Sequence, residues 1–123
     1  MLSLLNSKSG TYKSNELTSS TNLYASTGKT FCTLSLEAGT WVISGQLNVS
    51  LNNAVPIGVS ISKSHNTVDS KSGTRITPDV GVTNYIEVDK ILKLTETTSI
   101  YLTAYSTSAG TVEYGRLEAV KTI

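Results

Sequence analysis

The sequence TWVISGQLNVS, residues 40–50, decides the fold of this 123-residue chain. Trp41, Ile43, Gly45, Leu47 and Val49 take the odd positions, and polar residues take the even ones from 44 onward. Successive side chains of a strand point to opposite sides, so this alternation predicts a long β-strand with one face in a core and the other towards solvent. A turn of Glu, Ala and Gly at 37–39 leads into it. We expect Trp41 to be buried and to stabilise the fold, without contacting a ligand.

Shorter alternating segments surround this strand. Residues 30–36 place Cys32, Leu34 and Leu36 inward, and residues 57–62 place Ile57, Val59 and Ile61 inward with Gly58, Ser60 and Ser62 outward. The alternation of residues 82–94 is interrupted by Lys90, which predicts a bulge or a strand break at that position. In residues 111–121, Val112 and Tyr114 fall opposite Gly115, Leu117 and Ala119. Seven or eight short strands without a helical pattern predict an all-β chain folded as an antiparallel β-sandwich or barrel.

Composition and charge exclude several classes of partner. Charged residues make up 15% of the chain and the net charge is +1, which is too weak a field to favour nucleic acid or an acidic membrane surface. The single Cys32 excludes an internal disulfide and a multi-cysteine zinc site, and its inward position predicts a buried thiol. No apolar run approaches the roughly 20 residues of a membrane helix, and the opening MLSLL is too short for a signal peptide. We therefore expect neither membrane insertion nor export.

The sequence divides into two parts. Residues 1–20 lack a firm pattern and are interpreted as an N-terminal arm or connector; this segment is either a flexible terminus or a piece that pairs with a neighbouring subunit or attaches the domain to something larger. Residues 21–123 form the predicted domain. Within it, the polar, turn-forming residues 64–81 predict a long surface loop with a short strand at 74–77. Long loops in compact β domains often carry function. The candidate binding residues in this loop are His65, Asn66, Asp69 and Arg75.

Catalytic and metal-binding patterns are not found. A serine nucleophile would need the single histidine, His65, as its base, and the sequence has no Gly-x-Ser-x-Gly elbow. The nine acidic residues are scattered and offer no facing carboxylate pair of the kind that cleaves glycosides. Asp69 and Asp79 lack the accompanying calcium loop. We expect no enzymatic activity, no cofactor and no metal.

Four tyrosines lie mainly on the faces opposite the aliphatic core set: Tyr85, Tyr101, Tyr105 and Tyr114. Two interpretations remain open for them. The rings fill the inner face of a second sheet, or they form subunit contacts, where amphipathic aromatic residues are enriched.

Two segments resemble a known family. Residues 36–45, LEAGTWVISG, are similar to the entry into the second long strand of phage tail-fibre and receptor-binding head domains, and residues 91–105 with 115–121 are similar to their closing hairpin. The wider group contains the complement-type globular head and tumour necrosis factor. Residues 96–99, ETTS, replace the Gly-Asp that is frequent in the complement branch, which favours the phage branch.

The resemblance implies a jelly roll that assembles as a homotrimer on a phage particle. It implies a virion protein, made in the host cytoplasm, whose head recognises a host-surface saccharide and contacts other virion proteins. The alternative function is a purely structural appendage, such as a head fibre, decoration or baseplate accessory protein, that contacts only other virion proteins. No binding residue is carried over, because receptor contacts in this group lie in variable loops.

Overall fold

The computed structural model describes residues 11–122, which form nine strands in two antiparallel sheets. The first sheet contains β1 (Tyr12–Leu17), β2 (Thr21–Leu23), β4 (Gly39–Leu51), β7 (Asn84–Leu94) and β9 (Gly110–Lys121). The second contains β3 (Lys29–Leu36), β5 (Ile57–Ser62), β6 (Thr74–Ile76) and β8 (Thr98–Ser106). Over residues 11–122 no helix is long and apolar enough to cross a membrane.

The chain crosses repeatedly between the sheets, as in a jelly roll. The first sheet has the strand order β1-β9-β4-β7, and the short strand β2 pairs with the same edge of β9 as β1 does. The second sheet has the strand order β3-β8-β5-β6. From β3 to β9 the only consecutive strands that share a sheet are β5 and β6. The predicted fold class, an antiparallel jelly-roll sandwich, is confirmed.

The core lies between the sheets and is built on β4. Trp41, Ile43, Leu47 and Val49 are at most 1% exposed, as the alternation predicted. Burying such side chains contributes about 1.5–3 kcal/mol each relative to leaving them in water. The indole of Trp41 donates to the carbonyl oxygen of Glu37 at 2.9 Å, so its polar atom is also satisfied. The predictions that Trp41 and the Cys32 thiol are buried are confirmed.

Polar side chains close the two open sides of the sandwich. On one side, Lys13 of β1 donates to the carbonyl oxygen of Ser35 at 2.9 Å, and the Asn15 side-chain oxygen accepts from the Thr33 amide at 3.0 Å. On the other side, Lys90 of β7 donates to the carbonyl oxygen of Ile61 at 3.0 Å. These bonds join strands of different sheets and occupy backbone groups that an edge would otherwise leave unpaired.

Part of the predicted N-terminal arm belongs to the sandwich. Strand β1 lies within residues 1–20 and pairs with β9 over six residues, from Tyr12 opposite Val120 to Leu17 opposite Gly115. Its short polar pattern gave no firm alternation, because β1 is an edge strand whose inward residues include Lys13 and Asn15. Residues 1–10 lie outside the described part, and the rest of the arm stays a prediction there.

Two details of register differ from the prediction. Strand β7 shows no bulge or break at Lys90, since its pairing with β4 runs without a shift from Gly39 opposite Leu94 to Val49 opposite Asn84. Lys90 keeps the inward phase because its long side chain reaches polar partners at the edge of the sandwich. The irregularity lies instead in β9, where the register against β4 shifts between Asn48 and Val49. That shift turns Val112 inward, where it is 0% exposed.

Candidate binding groove on the second sheet

The segment between β5 and β6, residues 63–73, folds back over the outer face of the second sheet and is called the β5–β6 loop below. Its tip is held at the far strand, β3. The Asn66 side-chain oxygen accepts from the Thr30 amide at 2.8 Å, and the Asn66 amide donates to the Thr30 hydroxyl at 2.8 Å. Asn66 has a φ of 58°, a conformation that asparagine tolerates better than most residues. This predicted binding residue therefore holds the loop in place.

The loop also explains why two serines of β5 are buried. Ser60 and Ser62 were predicted to face outward, and they do, but they are 0% and 4% exposed because the loop covers them. The Ser60 hydroxyl accepts from the Asp69 amide at 2.9 Å, and the Ser62 hydroxyl accepts from the Ser64 amide at 3.0 Å. The prediction of a half-buried strand is wrong for β5, since alternation within a strand carries no information about a loop that covers its polar face.

Asp69 anchors the returning half of the loop. Its carboxylate accepts hydrogen bonds from the Lys90 ammonium at 2.7 Å, the Lys71 amide at 2.9 Å and the Ser72 hydroxyl at 2.9 Å. Lys90, the Lys71 amide and Ser72, in that order, hold the pKa of this carboxyl well below its usual range. Three donors use most of the capacity of the carboxylate, so Asp69, a predicted ligand contact, positions the loop.

A groove of about 700 Å³ remains between the returning half of the loop and the end of the second sheet. Its base is a row of three outward positions on adjacent strands. Gly58 of β5 lies opposite Arg75 of β6 on one side and opposite Tyr105 of β8 on the other. Strands are about 4.8 Å apart, so the backbones that carry Arg75 and Tyr105 are separated by roughly 10 Å, and Gly58 contributes no side chain between them. The rest of the lining comes from residues 55–56, 59, 68–74 and 106–107.

Gly58 is not required by the backbone. It does not adopt the positive φ that favours glycine at Gly39, Gly73 and Gly81. A Cβ built on it would meet only the Val68 side chain, at 3.9 Å, which is ordinary contact. An interior glycine that neither conformation nor packing demands often marks a place where a ligand approaches a strand closely. The sequence alone places Gly58 at an outward position of an alternating strand. It becomes a candidate for a binding site only because Arg75 and Tyr105 lie on either side of it in the sheet.

The candidate residues predicted in the loop separate into two groups. Arg75 lines the groove and Asp69 supports its wall. His65 lies towards the other end of the loop, is exposed, and packs edge-on against Tyr101 with ring centroids 5.2 Å apart. The structure brings Tyr105 and Lys71 to the groove together with Arg75. Neither Gly58 nor Lys71 was among the predicted site residues.

The four tyrosines do not form one surface. Tyr101 and Tyr105 lie on the outer face of the second sheet, whereas Tyr85 and Tyr114 lie on the outer face of the first. Tyr85 is 71% exposed, and the Tyr114 hydroxyl donates to the Glu16 carboxylate at 2.6 Å, which raises the pKa of that tyrosine. The interpretation that they fill an inner face is wrong, because all four rings are on outer faces.

An apolar pair is exposed on the outer face of the first sheet. Val42 of β4 and Ile91 of β7 are directly opposite each other and are 44% and 69% exposed. Cross-strand neighbours of this kind form a small continuous apolar patch. We refer to Val42 and Ile91 together as the first-sheet patch; it lies on the opposite side of the sandwich from the groove.

Known proteins of solved structure match this chain in fold. No protein-family model and no curated protein matches the chain. A chain of the infectious bursal disease virus particle superposes with a TM-score of 0.62 at 10% identity, over 89% of this chain and 31% of the viral one. A chain of the VP2 subviral particle of the same virus gives 0.56 at 10% identity, over 89% and 33%. The tumour necrosis factor Eiger from S. frugiperda gives 0.58 at 6% identity, over 91% and 93%.

These likenesses show a jelly-roll fold of the kind found in viral particles and in tumour necrosis factors. The chain spans about a third of the length of the viral chains that it matches. At these identities the comparison concerns the fold alone. The phage tail-fibre part of the resemblance stays a prediction.

Proposed function

We propose that this chain is the head domain of a phage virion protein and that its groove binds a saccharide of the host surface without chemical turnover. The observation that carries the binding proposal is the groove over Gly58, a strand position without a side chain that lies between Tyr105 and Arg75 on the neighbouring strands. The likeness to infectious bursal disease virus particles supports the virion role only as an analogy of fold. Localisation on the virion, after synthesis in the host cytoplasm, is part of the same proposal.

The groove has the chemistry that a sugar needs. An aromatic ring covers the apolar face of a pyranose, and Tyr105 is 41% exposed at the edge of the groove. Hydroxyl and main-chain groups of the loop, together with the exposed Thr107, offer hydrogen bonds to sugar hydroxyls. The wall is fixed by Asp69 and its partners, so little loop entropy is lost on binding.

The test is a glycan array followed by calorimetry with the best binder. We expect Gly58→Val, which adds a branched side chain at the base of the groove, and Tyr105→Ala, which removes the ring, each to weaken binding by about tenfold or more. Tyr24→Ala is the matched control, because it removes an exposed tyrosine that does not line the groove. Equal binding by Gly58→Val and the unmodified chain would refute the assignment of the groove. Release of reducing ends from host polysaccharide would refute the non-enzymatic part.

The homotrimer is also a proposal. Light scattering at micromolar concentration should give the mass of three chains, and a stable monomer would refute it. Because the four tyrosines lie on two opposite faces, single alanine variants of Tyr85 and Tyr101 distinguish which face is used.

A purely structural appendage is the second candidate, and the first-sheet patch favours it. Exposed apolar side chains that pair across strands suit contact with another virion protein. The test adds the purified chain to virions from which it is missing. Ile91→Lys should then abolish co-sedimentation of the added chain with these virions and leave saccharide binding unchanged. Unchanged co-sedimentation would refute this use of the patch. Deleting the predicted arm, residues 1–20, is a less suitable test of attachment, because that deletion would also remove β1 from the sandwich.

A further inference from the structure

The charges that line the groove are unevenly matched. Lys71 and Arg75 bring two positive charges to the lining, and Asp69 brings one negative charge. The Asp69 carboxylate is already paired with the Lys90 ammonium at 2.7 Å, and both side chains are mostly buried, with 26% and 19% of their surfaces exposed. That pair is close to neutral, so the lining as a whole has an excess of positive charge.

Arg75 is placed to use its charge on a ligand. The ion pairs found within residues 11–122 join Lys90 to Asp69, Arg116 to Glu118 and Lys121 to Glu37, and none of them involves Arg75. Arg75 is exposed on the outer face of the short strand β6, directly opposite Gly58 of β5. A guanidinium presents two parallel N–H donors that match the two oxygens of a carboxylate.

We infer that the saccharide bound in this groove is acidic, and that Arg75 binds its carboxylate while Tyr105 packs against its ring. The inference rests on the proposed saccharide binding and names the class of sugar. Asp69 does not repel such a ligand strongly, because Lys90 neutralises it from the far side of the loop. Lys71 adds a second positive charge at the wall and widens the range of positions at which an anion is stabilised.

The experiment compares one acidic saccharide with its carboxyl-reduced counterpart and adds two probes that carry other acidic groups. Calorimetry would use a galacturonic acid trisaccharide, its carboxyl-reduced galactose counterpart, a sialylated trisaccharide and a sulfated galactose oligomer. Four proteins are measured: the unmodified chain, Arg75→Gln, Arg75→Lys and Lys63→Gln. The last is the control, since it removes the same charge from an exposed lysine of the same loop that does not line the groove.

We expect at least one carboxylated probe to bind about fivefold or more tightly than the reduced probe, and Arg75→Gln to remove that preference. Arg75→Lys should keep only part of it, because an ammonium lacks the forked donors. Lys63→Gln should leave it intact. Circular dichroism and the melting temperature confirm that the variants fold.

The outcomes separate the two proposals. Equal binding of the acidic and reduced probes, with loss of both in Gly58→Val, would keep saccharide binding in the groove and overturn the inference about acidity. Binding of the sulfated probe alone would also overturn it, because the carboxylate would not be the group recognised. A carboxylate preference that survives Arg75→Gln would refute the role of Arg75. Binding of no saccharide on the array or among the four probes would refute both proposals.

Discussion

Replacing Lys90 with Met should loosen the β5–β6 loop without disturbing the hydrophobic core. The substitution keeps an unbranched apolar stem and removes the ammonium, which donates to the Asp69 carboxylate at 2.7 Å and to the Ile61 carbonyl at 3.0 Å. Hydrogen bonds to charged groups contribute about 1.5–3 kcal/mol, whereas exposed ion pairs contribute only about 0.2–1 kcal/mol. Since the two side chains are 19% and 26% exposed, we expect an intermediate loss of about 2 kcal/mol.

Urea unfolding followed by the fluorescence of Trp41 measures this loss, and for a domain of this size about 2 kcal/mol corresponds to a fall of roughly 8 °C in the melting temperature. Hydrogen exchange should accelerate at the amides of Asp69 and Lys71, which the loop hydrogen bonds protect. The control is Lys93→Met, an exposed lysine on the same strand, which should change stability by less than about 0.5 kcal/mol. A Lys90→Met variant with unchanged stability and unchanged exchange would show that the loop is held by other contacts.

Two further predictions concern the loop and the entry into β4. The pKa of Asp69 is lower in the folded protein than in the unfolded chain, where it is about 3.9, so the ionised carboxylate stabilises the fold at pH values above about 3.9. This contribution is lost as the pH falls below that value. The difference in unfolding free energy between the unmodified chain and Asp69→Asn should therefore be full near pH 7 and shrink below about pH 4. A pH-independent difference would contradict it. Gly39→Ala should cost about 1–3 kcal/mol in urea unfolding, because Gly39 has a φ of 141° and a Cβ there would approach the Lys121 side chain. Gly58→Ala is its control and should be nearly neutral, so equal losses in the two variants would refute the backbone argument.

The fold was predictable because β4 carries a full alternation over more than ten residues and the other inner strands repeat it. Period-2 alternation reports burial on one face of a sheet, and it placed Trp41, Cys32 and Ile61 in the core correctly. It failed where a side chain is buried by something other than the facing sheet. Ser60 is covered by a loop, and Lys90 satisfies its charge at the edge of the sandwich while keeping the inward phase.

The groove was only partly predictable for a related reason. The polar loop and its Arg75 are visible in the sequence as a run of turn-forming residues. The position of the loop over the sheet depends on pairs that are distant in sequence, such as Asn66 with Thr30 and Asp69 with Lys90. Gly58 and Tyr105 are 47 positions apart and meet only through the register of β5 against β8. A single sequence gives no information about such a register.

The two candidate contact surfaces lie on opposite sides of the sandwich, and this arrangement has a functional consequence. The groove lies on the outer face of the second sheet, and the first-sheet patch of Val42 and Ile91 lies on the outer face of the first. A protein partner seated on the patch would leave the groove open, because the closely packed core separates the two faces. Attachment through one sheet and saccharide binding through the other are therefore compatible in one chain. Ile91→Lys should abolish attachment and leave saccharide binding unchanged, whereas Gly58→Val should weaken saccharide binding by about tenfold or more and leave attachment intact.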